Sequence, residues 1–151
     1  MNYQQKSIDG MNPVELIVAL YDGMVRFLYQ AIGAIEARDA HARRIAIKRV
    51  LDILMHLQSR LRMDIGGRSA QALSEFYASI LALCLEGSRL ESADRLREAI
   101  ACIRDVRDAW SVAAHDPEVL RVLHERDQRP AAASPSPFPQ PQEARSSSWL
   151  A

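Results

Sequence analysis

Cysteine, glycine, aromatic side chains and long apolar runs are all scarce in this 151-residue sequence, and each shortage excludes a class of protein. The two cysteines, Cys84 and Cys102, are too few for a disulfide framework and lack the spacing of a metal site. Six glycines and an aromatic content of 6% disfavour a β-rich fold. No run reaches about eighteen apolar residues, and the N-terminus lacks the apolar core of a signal peptide. We therefore expect a cytoplasmic protein with reduced thiols and no membrane insertion.

An excess of charge of one sign is missing as well, because 19 Lys+Arg balance 19 Asp+Glu. A protein that binds nucleic acid through a basic field carries a surplus of cations, so this class is disfavoured. The charges also alternate in sign along every predicted helix, which gives no basic face. The sequence therefore predicts no nucleic-acid partner.

Composition divides the chain into three parts. From residue 128 onward Pro, Ser and Ala replace the apolar periodicity, which predicts a disordered tail over residues 128–151. Residues 1–11 are polar and too few to fold alone, so we expect a flexible N-terminal cap segment. Residues 12–127 carry apolar side chains at helical spacing and form the predicted domain.

Apolar residues recur every three or four positions in this domain, which predicts four amphipathic helices and a short fifth one. The first helix begins with Asn12 as N-cap, Pro13 in the first turn and Glu15 as capping-box carboxylate, and it runs to about Ala37. Further helix starts are predicted after Asp39, at Ser69, around Glu91–Ser92 and at Asp116–Glu118, with ends at Gly66–Gly67 and Gly87. Short loops between helices of similar length predict an all-α fold, an antiparallel up-down four-helix bundle with a short extra C-terminal helix.

The first and third helices carry apolar arcs wider than the roughly 100° that packing in a bundle requires. Either both helices are central, with neighbours on two sides, or part of this surface is available to a partner. Gly23 lies at one edge of the first arc, and a glycine inside a helix indicates close approach by another backbone. That backbone belongs either to a neighbouring helix or to a docked peptide.

Arg107 falls in the middle of the apolar stripe of the fourth helix, one turn before Trp110. A buried guanidinium without a partner would be severely destabilising. Two interpretations are open: Arg107 extends to the end of the bundle and stacks on Trp110, or it presents its guanidinium to a partner's carbonyl or carboxylate groups.

Enzyme motifs are absent from the sequence. A di-metal site in a bundle requires Glu-x-x-His pairs on two helices, and no Glu here has a His three residues later. There is no Gly-rich phosphate loop, no GxSxG motif and no Cys/His pair. We therefore predict a protein that is not an enzyme and that holds no cofactor and no metal.

Several motifs together resemble the flagellar secretion chaperone FliS family over about residues 1–115. They are Tyr3-Gln4-Gln5, Asn12-Pro13-x-Glu15-Leu16, Leu20-Tyr21-Asp22-Gly23, Arg26-Phe27-Leu28 with Ala31, Leu73 with Phe76-Tyr77, and Arg107-Asp108-Ala109-Trp110. Asn12 departs from the family, which commonly has Ser or Thr before the proline. The segment after Asp116 lies outside the resemblance.

The resemblance implies a cytoplasmic export chaperone that binds the disordered C-terminal region of flagellin, prevents premature polymerisation and aids delivery to components of the flagellar export gate. It also implies that the segment before the first helix covers part of the client groove. The residues expected to contact the client are Tyr3 and Ile8 as a displaceable cover, Leu20, Tyr21, Met24 and Phe27 as the groove wall, and Arg107 and Trp110 as anchors. The alternative function is a helical-bundle adaptor or regulator for another secretion client.

Overall fold

The computed structural model describes residues 11–61 and 63–128, except for the side chains of residues 63–65, 119, 120, 123 and 126–128. Five helices span α1 Pro13–Glu36, α2 Ala40–Ser59, α3 Met63–Arg89, α4 Ala93–Ala114 and α5 Pro117–Gln128. These ranges contain no strand, which confirms the predicted all-α class. The predicted cap segment 1–11 and the predicted tail 128–151 lie outside the described residues, apart from Met11 and Gln128.

Local chemistry at the start of α1 matches the prediction. The Glu15 backbone N–H donates to Asn12 Oδ1 at 2.8 Å, and the Asn12 N–H donates to Glu15 Oε2 at 3.3 Å. This reciprocal pair satisfies two backbone donors that a helix start otherwise leaves without partners. Pro13 occupies the first helical position, where no N–H is needed.

Two tight corners join α1 to α2 and α3 to α4, and both are built in the same way. Arg38 has φ 54° and Glu91 has φ 50°, so each places a non-glycine residue in the left-handed region. The next residue, Asp39 or Ser92, donates its N–H at 2.9 Å to the carbonyl five residues earlier, which closes a Schellman motif. Asp39 and Ser92 then cap the following helix, as the sequence predicted. Each reversal is therefore completed within about three residues.

These corners give a matched pair of stability predictions. Replacing Arg38 with glycine is expected to raise the free energy of unfolding by about 0.5–1 kcal/mol, because glycine adopts φ above zero without the Cβ penalty. Glu91→Gly relieves the same penalty but removes the carboxylate that contacts Arg43 at 2.6 Å, so it is expected to destabilise. Urea unfolding of both variants checks this, and stabilisation of equal size in both would contradict it.

The third helix agrees with the prediction near its N-terminal end and extends beyond it at its C-terminal end. Gly67 lies inside α3 with φ 52° and ψ −130°, so the first turn from Met63 is separated by a kink from the regular helix that follows. Only glycine adopts this backbone conformation readily, so the Gly66–Gly67 pair interrupts the helix as predicted, and the regular helix resumes next to the predicted start at Ser69. The C-terminal end falls at Arg89, two residues beyond the predicted stop at Gly87.

The helices pack around one apolar core. α1 contacts α2 and α4, and α3 contacts the same two helices from the other side. α1 and α4 run in opposite directions, since Glu36 contacts Arg97 near one end while Asp22 contacts Arg107 further along. The largest fully buried side chains are Tyr21, Met24, Leu28, Ile80, Leu96, Ile103, Val14, Val50 and Cys84. α5 follows α4 and contacts it, with the Glu118 N–H donating to Asp116 Oδ1 at 2.9 Å.

By length and composition alone α1 could cross a bilayer. Its apolar content has a second explanation in this structure, because one face of α1, including Tyr21, Met24 and Leu28, is buried against the other helices. A core helix of a bundle and a membrane span pass the same test of hydropathy.

Candidate binding surface

Tyr21, predicted as groove wall, lies in the core at the centre of an aromatic cluster. Its hydroxyl is 2.8 Å from the hydroxyl of Tyr77, and the Trp110 indole N–H donates to it at 3.3 Å. The Tyr21 ring also stacks on Phe76, with 6.4 Å between ring centroids. Because both tyrosines are buried, these hydrogen bonds satisfy polar atoms that would otherwise be costly to bury. The cluster ties α1 to α3 and α4.

Burial raises the pKa of both tyrosine hydroxyls above the ordinary value of 10. A raised pKa in the folded state favours the neutral form, so the stability from this pair is complete below about pH 10 and decreases as the pH rises above it. We expect ultraviolet titration to show Tyr21 and Tyr77 ionising only as the protein unfolds. Tyr77→Phe is expected to remove one late-titrating group, and ionisation of all tyrosines near pH 10 in the folded protein would contradict this.

The other predicted wall residues divide into buried and accessible ones. Met24 has no exposed surface, and a side chain in that position cannot line an open groove, so Met24 and Tyr21 are core residues here. Leu20 and Phe27 pack against the core but remain partly exposed. The guanidinium groups of Arg26 and Arg49 each lie 5.4 Å from the centre of the Phe27 ring. Tyr3 and Ile8 lie outside the described residues.

Arg107 forms an ion pair within the chain, which neither sequence interpretation included. Its Nε donates to Asp22 Oδ1 at 2.9 Å and its Nη2 donates to Oδ2 at 3.3 Å, while Asp108 contacts Nη1 at 3.5 Å. The side chain is about one-third exposed, so it bridges α1 and α4 at the protein surface. Trp110, one turn later, is partly buried and is held by Tyr21. A shallow depression in the surface is lined by Asp22, Arg107 and Asp108 together with Val25 and Arg104.

Further exposed apolar side chains lie elsewhere, on α2 and α3. The Gln58 amide donates to Ser74 Oγ at 3.0 Å, which fixes the directions in which the two helices face each other. At about 100° per residue, Leu81 and Leu85 lie within about 20° of Ser74, and Leu51 and Met55 lie within about 60° of Gln58. We call Leu51, Met55, Leu81 and Leu85 the α2–α3 stripe.

The stripe is accessible in the folded chain. Met55 is 72% exposed, Leu85 48% and Leu81 38%, whereas Leu51 is partly buried against the core. α2 and α3 also pack less extensively against each other than α1 packs against α2 or α4. Neighbouring exposed apolar side chains of this kind mark a surface for a partner more often than isolated ones do.

The sequence contained part of this signal. The apolar arc of the third helix extends to Leu85, beyond what its buried face at Tyr77, Ile80 and Cys84 requires. The predicted site nevertheless favoured the first helix, because the motifs that carry the family resemblance lie there. The extra width of the apolar arc on α3 indicates an exposed surface only when α2 is known to lie beside it.

No group of three or more His, Cys, Asp and Glu side chains in the described ranges is arranged to hold a metal ion. Burial raises the pKa of the Cys84 thiol to about 12, so this thiol is a poor nucleophile and a poor metal ligand at neutral pH.

Comparison with known proteins identifies the family. The family described as "Flagellar protein FliS" matches residues 1–117, which is most of the chain. The chain belongs to the FliS family. Flagellar secretion chaperone FliS of Campylobacter jejuni is 31% identical over 108 residues, covering 72% of this chain and 84% of that protein. Flagellar secretion chaperone FliSB of Pseudomonas aeruginosa is 30% identical over 117 residues, covering 75% and 93%.

The relatives in this family are named flagellar secretion chaperones, and those names describe a role without catalysis. A more distant relative, from Bacillus subtilis, is 26% identical over 111 residues. The match ends at residue 117, so most of α5 and everything after it lie outside the family region.

Proposed function

We propose that this chain is a cytoplasmic export chaperone that binds the disordered C-terminal segment of flagellin, keeps it from polymerising and aids its delivery to the flagellar export apparatus. In this proposal residues 12–127 act as an antiparallel up-down four-helix bundle with α5 as a short addition. Family membership supports the chaperone role. The flagellin client and the export-gate partner are the parts that experiment must establish.

The observation that carries the proposal is the exposed α2–α3 stripe on a chain whose core is otherwise complete. The polar contact Gln58–Ser74 lies at one end of the stripe, and the Arg43–Glu91 ion pair lies at the other. Fifteen residues of α2 separate the two contacts, which corresponds to about 22 Å at about 1.5 Å per residue. A groove of this length accommodates an amphipathic helix of about four turns.

A client segment that is disordered when free must make extensive contacts, because its ordering costs several kcal/mol. The partly exposed Leu20, Phe27 and Trp110 offer apolar surface beyond the stripe. We therefore propose that the client wraps over more than one helix. Tyr21 and Met24 support this surface from the core, while Tyr3 and Ile8 remain a proposed cover that the client displaces.

The test measures whether the chain prevents flagellin from polymerising. Monomeric flagellin from the same bacterium is seeded with filament fragments, and polymerisation is followed by light scattering with increasing amounts of the full chain. The proposal predicts that polymerisation stops near one chaperone per flagellin. Polymerisation that proceeds unchanged at a several-fold excess of chaperone would exclude flagellin as the client and leave another secretion client as the alternative.

A further inference from the structure

The ion pair between Arg43 and Glu91 spans the end of the α2–α3 stripe. Arg43 lies in the first turns of α2, and its Nη1 is 2.6 Å from Glu91 Oε1 in the corner between α3 and α4. Gln58 and Ser74 contact each other in the same antiparallel register, about four turns away. Two polar contacts therefore bound the exposed leucines and Met55, one at each end.

This ion pair carries a cost that its contacts alone do not explain. The Arg43 side chain is only 11% exposed, and its Nε is fully buried with no hydrogen-bond partner. An unpaired buried donor destabilises a protein by about 1–3 kcal/mol. A buried polar group that is left without a partner calls for an explanation, and a role in the adjoining surface supplies one.

Resting on the proposed function, we propose that Arg43 and Glu91 are positioning residues for the client site, because their ion pair fixes the separation of α2 and α3 at one end of the stripe. The client packs between these helices through short-range apolar contacts, which weaken steeply when a gap of even 1 Å opens. The exposed Gln58–Ser74 hydrogen bond holds the other end less firmly, since water competes for both of its partners.

The variant Glu91→Gln tests this by removing the negative charge while keeping the shape of the side chain. Its affinity for a peptide of about 40 residues from the flagellin C-terminus is expected to fall about fivefold or more. Glu36→Gln is the matched control, because Glu36 contacts Arg97 at 3.6 Å at the same end of the molecule but between α1 and α4. Its affinity is expected to stay within about twofold of the wild type.

The variant Arg43→Lys distinguishes an effect on the positions of α2 and α3 from a general loss of folding stability. Lysine keeps the positive charge that Glu91 contacts and removes the buried Nε–H, so this variant is expected to retain the affinity of the wild type. All affinities are measured where thermal unfolding shows each variant to be folded. Wild-type affinity in Glu91→Gln would overturn the inference, and so would an equal loss in Glu36→Gln or Arg43→Lys. Failure of the wild type itself to bind would instead count against the proposed function.

Discussion

The substitution Leu85→Glu is expected to weaken binding of the flagellin C-terminal segment about 30-fold or more, equivalent to about 2 kcal/mol. Leu85 is 48% exposed in the free chain, and a bound client would cover it. Burying a carboxylate against apolar side chains without a partner carries a large desolvation cost. Fluorescence anisotropy of a labelled client peptide titrated with the Leu85→Glu variant measures the effect.

Val112→Glu provides the matched control for this variant. Val112 is 75% exposed, and it lies on α4, which contributes nothing to the α2–α3 stripe. Both substitutions add one negative charge at an accessible apolar position, so both are expected to change folding stability little. We expect a loss of affinity for Leu85→Glu alone. A similar loss for both variants would point to net charge and away from the stripe.

Gly87→Ala is expected to lower the free energy of unfolding by about 1–3 kcal/mol. A Cβ at this position would lie 2.6 Å from Leu96 Cδ2, 3.0 Å from Leu96 Cγ and 3.2 Å from Arg95 Cβ. Leu96 is fully buried and cannot move away without disturbing the core. The substitution therefore pushes α3 and α4 apart, and urea unfolding measures the resulting loss of stability.

Gly23→Ala is the control variant for Gly87→Ala. A Cβ at Gly23 would lie 3.4 Å from Ile53 Cδ1, an ordinary contact with the end of a side chain. Alanine favours the helix over glycine by about 1 kcal/mol, so this substitution is expected to be neutral or stabilising. Destabilisation of equal size in both variants would show that helix propensity and contact distance do not account for these glycines.

The helix starts could be predicted from sequence because their chemistry is local. Asn12 and Glu15 satisfy each other within one turn, and Asp39 and Ser92 cap the residues directly after them. The interruption at Gly66–Gly67 could also be predicted, because Gly67 adopts a backbone conformation that other residues rarely adopt.

The candidate site was harder to predict because it depends on which helices are neighbours. The partner of Arg107 is Asp22, 85 residues away in sequence, and no local pattern links them. Gly23 was expected to meet another backbone and instead faces the side chain of Ile53. Helical periodicity correctly placed Tyr21 and Met24 on the apolar face of α1. It could not distinguish a side chain in the core from one that lines a groove.

Calorimetry of the full chain with a C-terminal flagellin peptide of about 40 residues measures whether this chain binds a disordered flagellin segment through apolar surface. We expect a one-to-one complex of micromolar affinity or tighter, with a negative heat-capacity change from apolar burial and little dependence on salt. Absence of binding at micromolar concentrations would contradict it. So would binding whose heat-capacity change is near zero and whose affinity falls steeply with salt, since that complex would be held by charge.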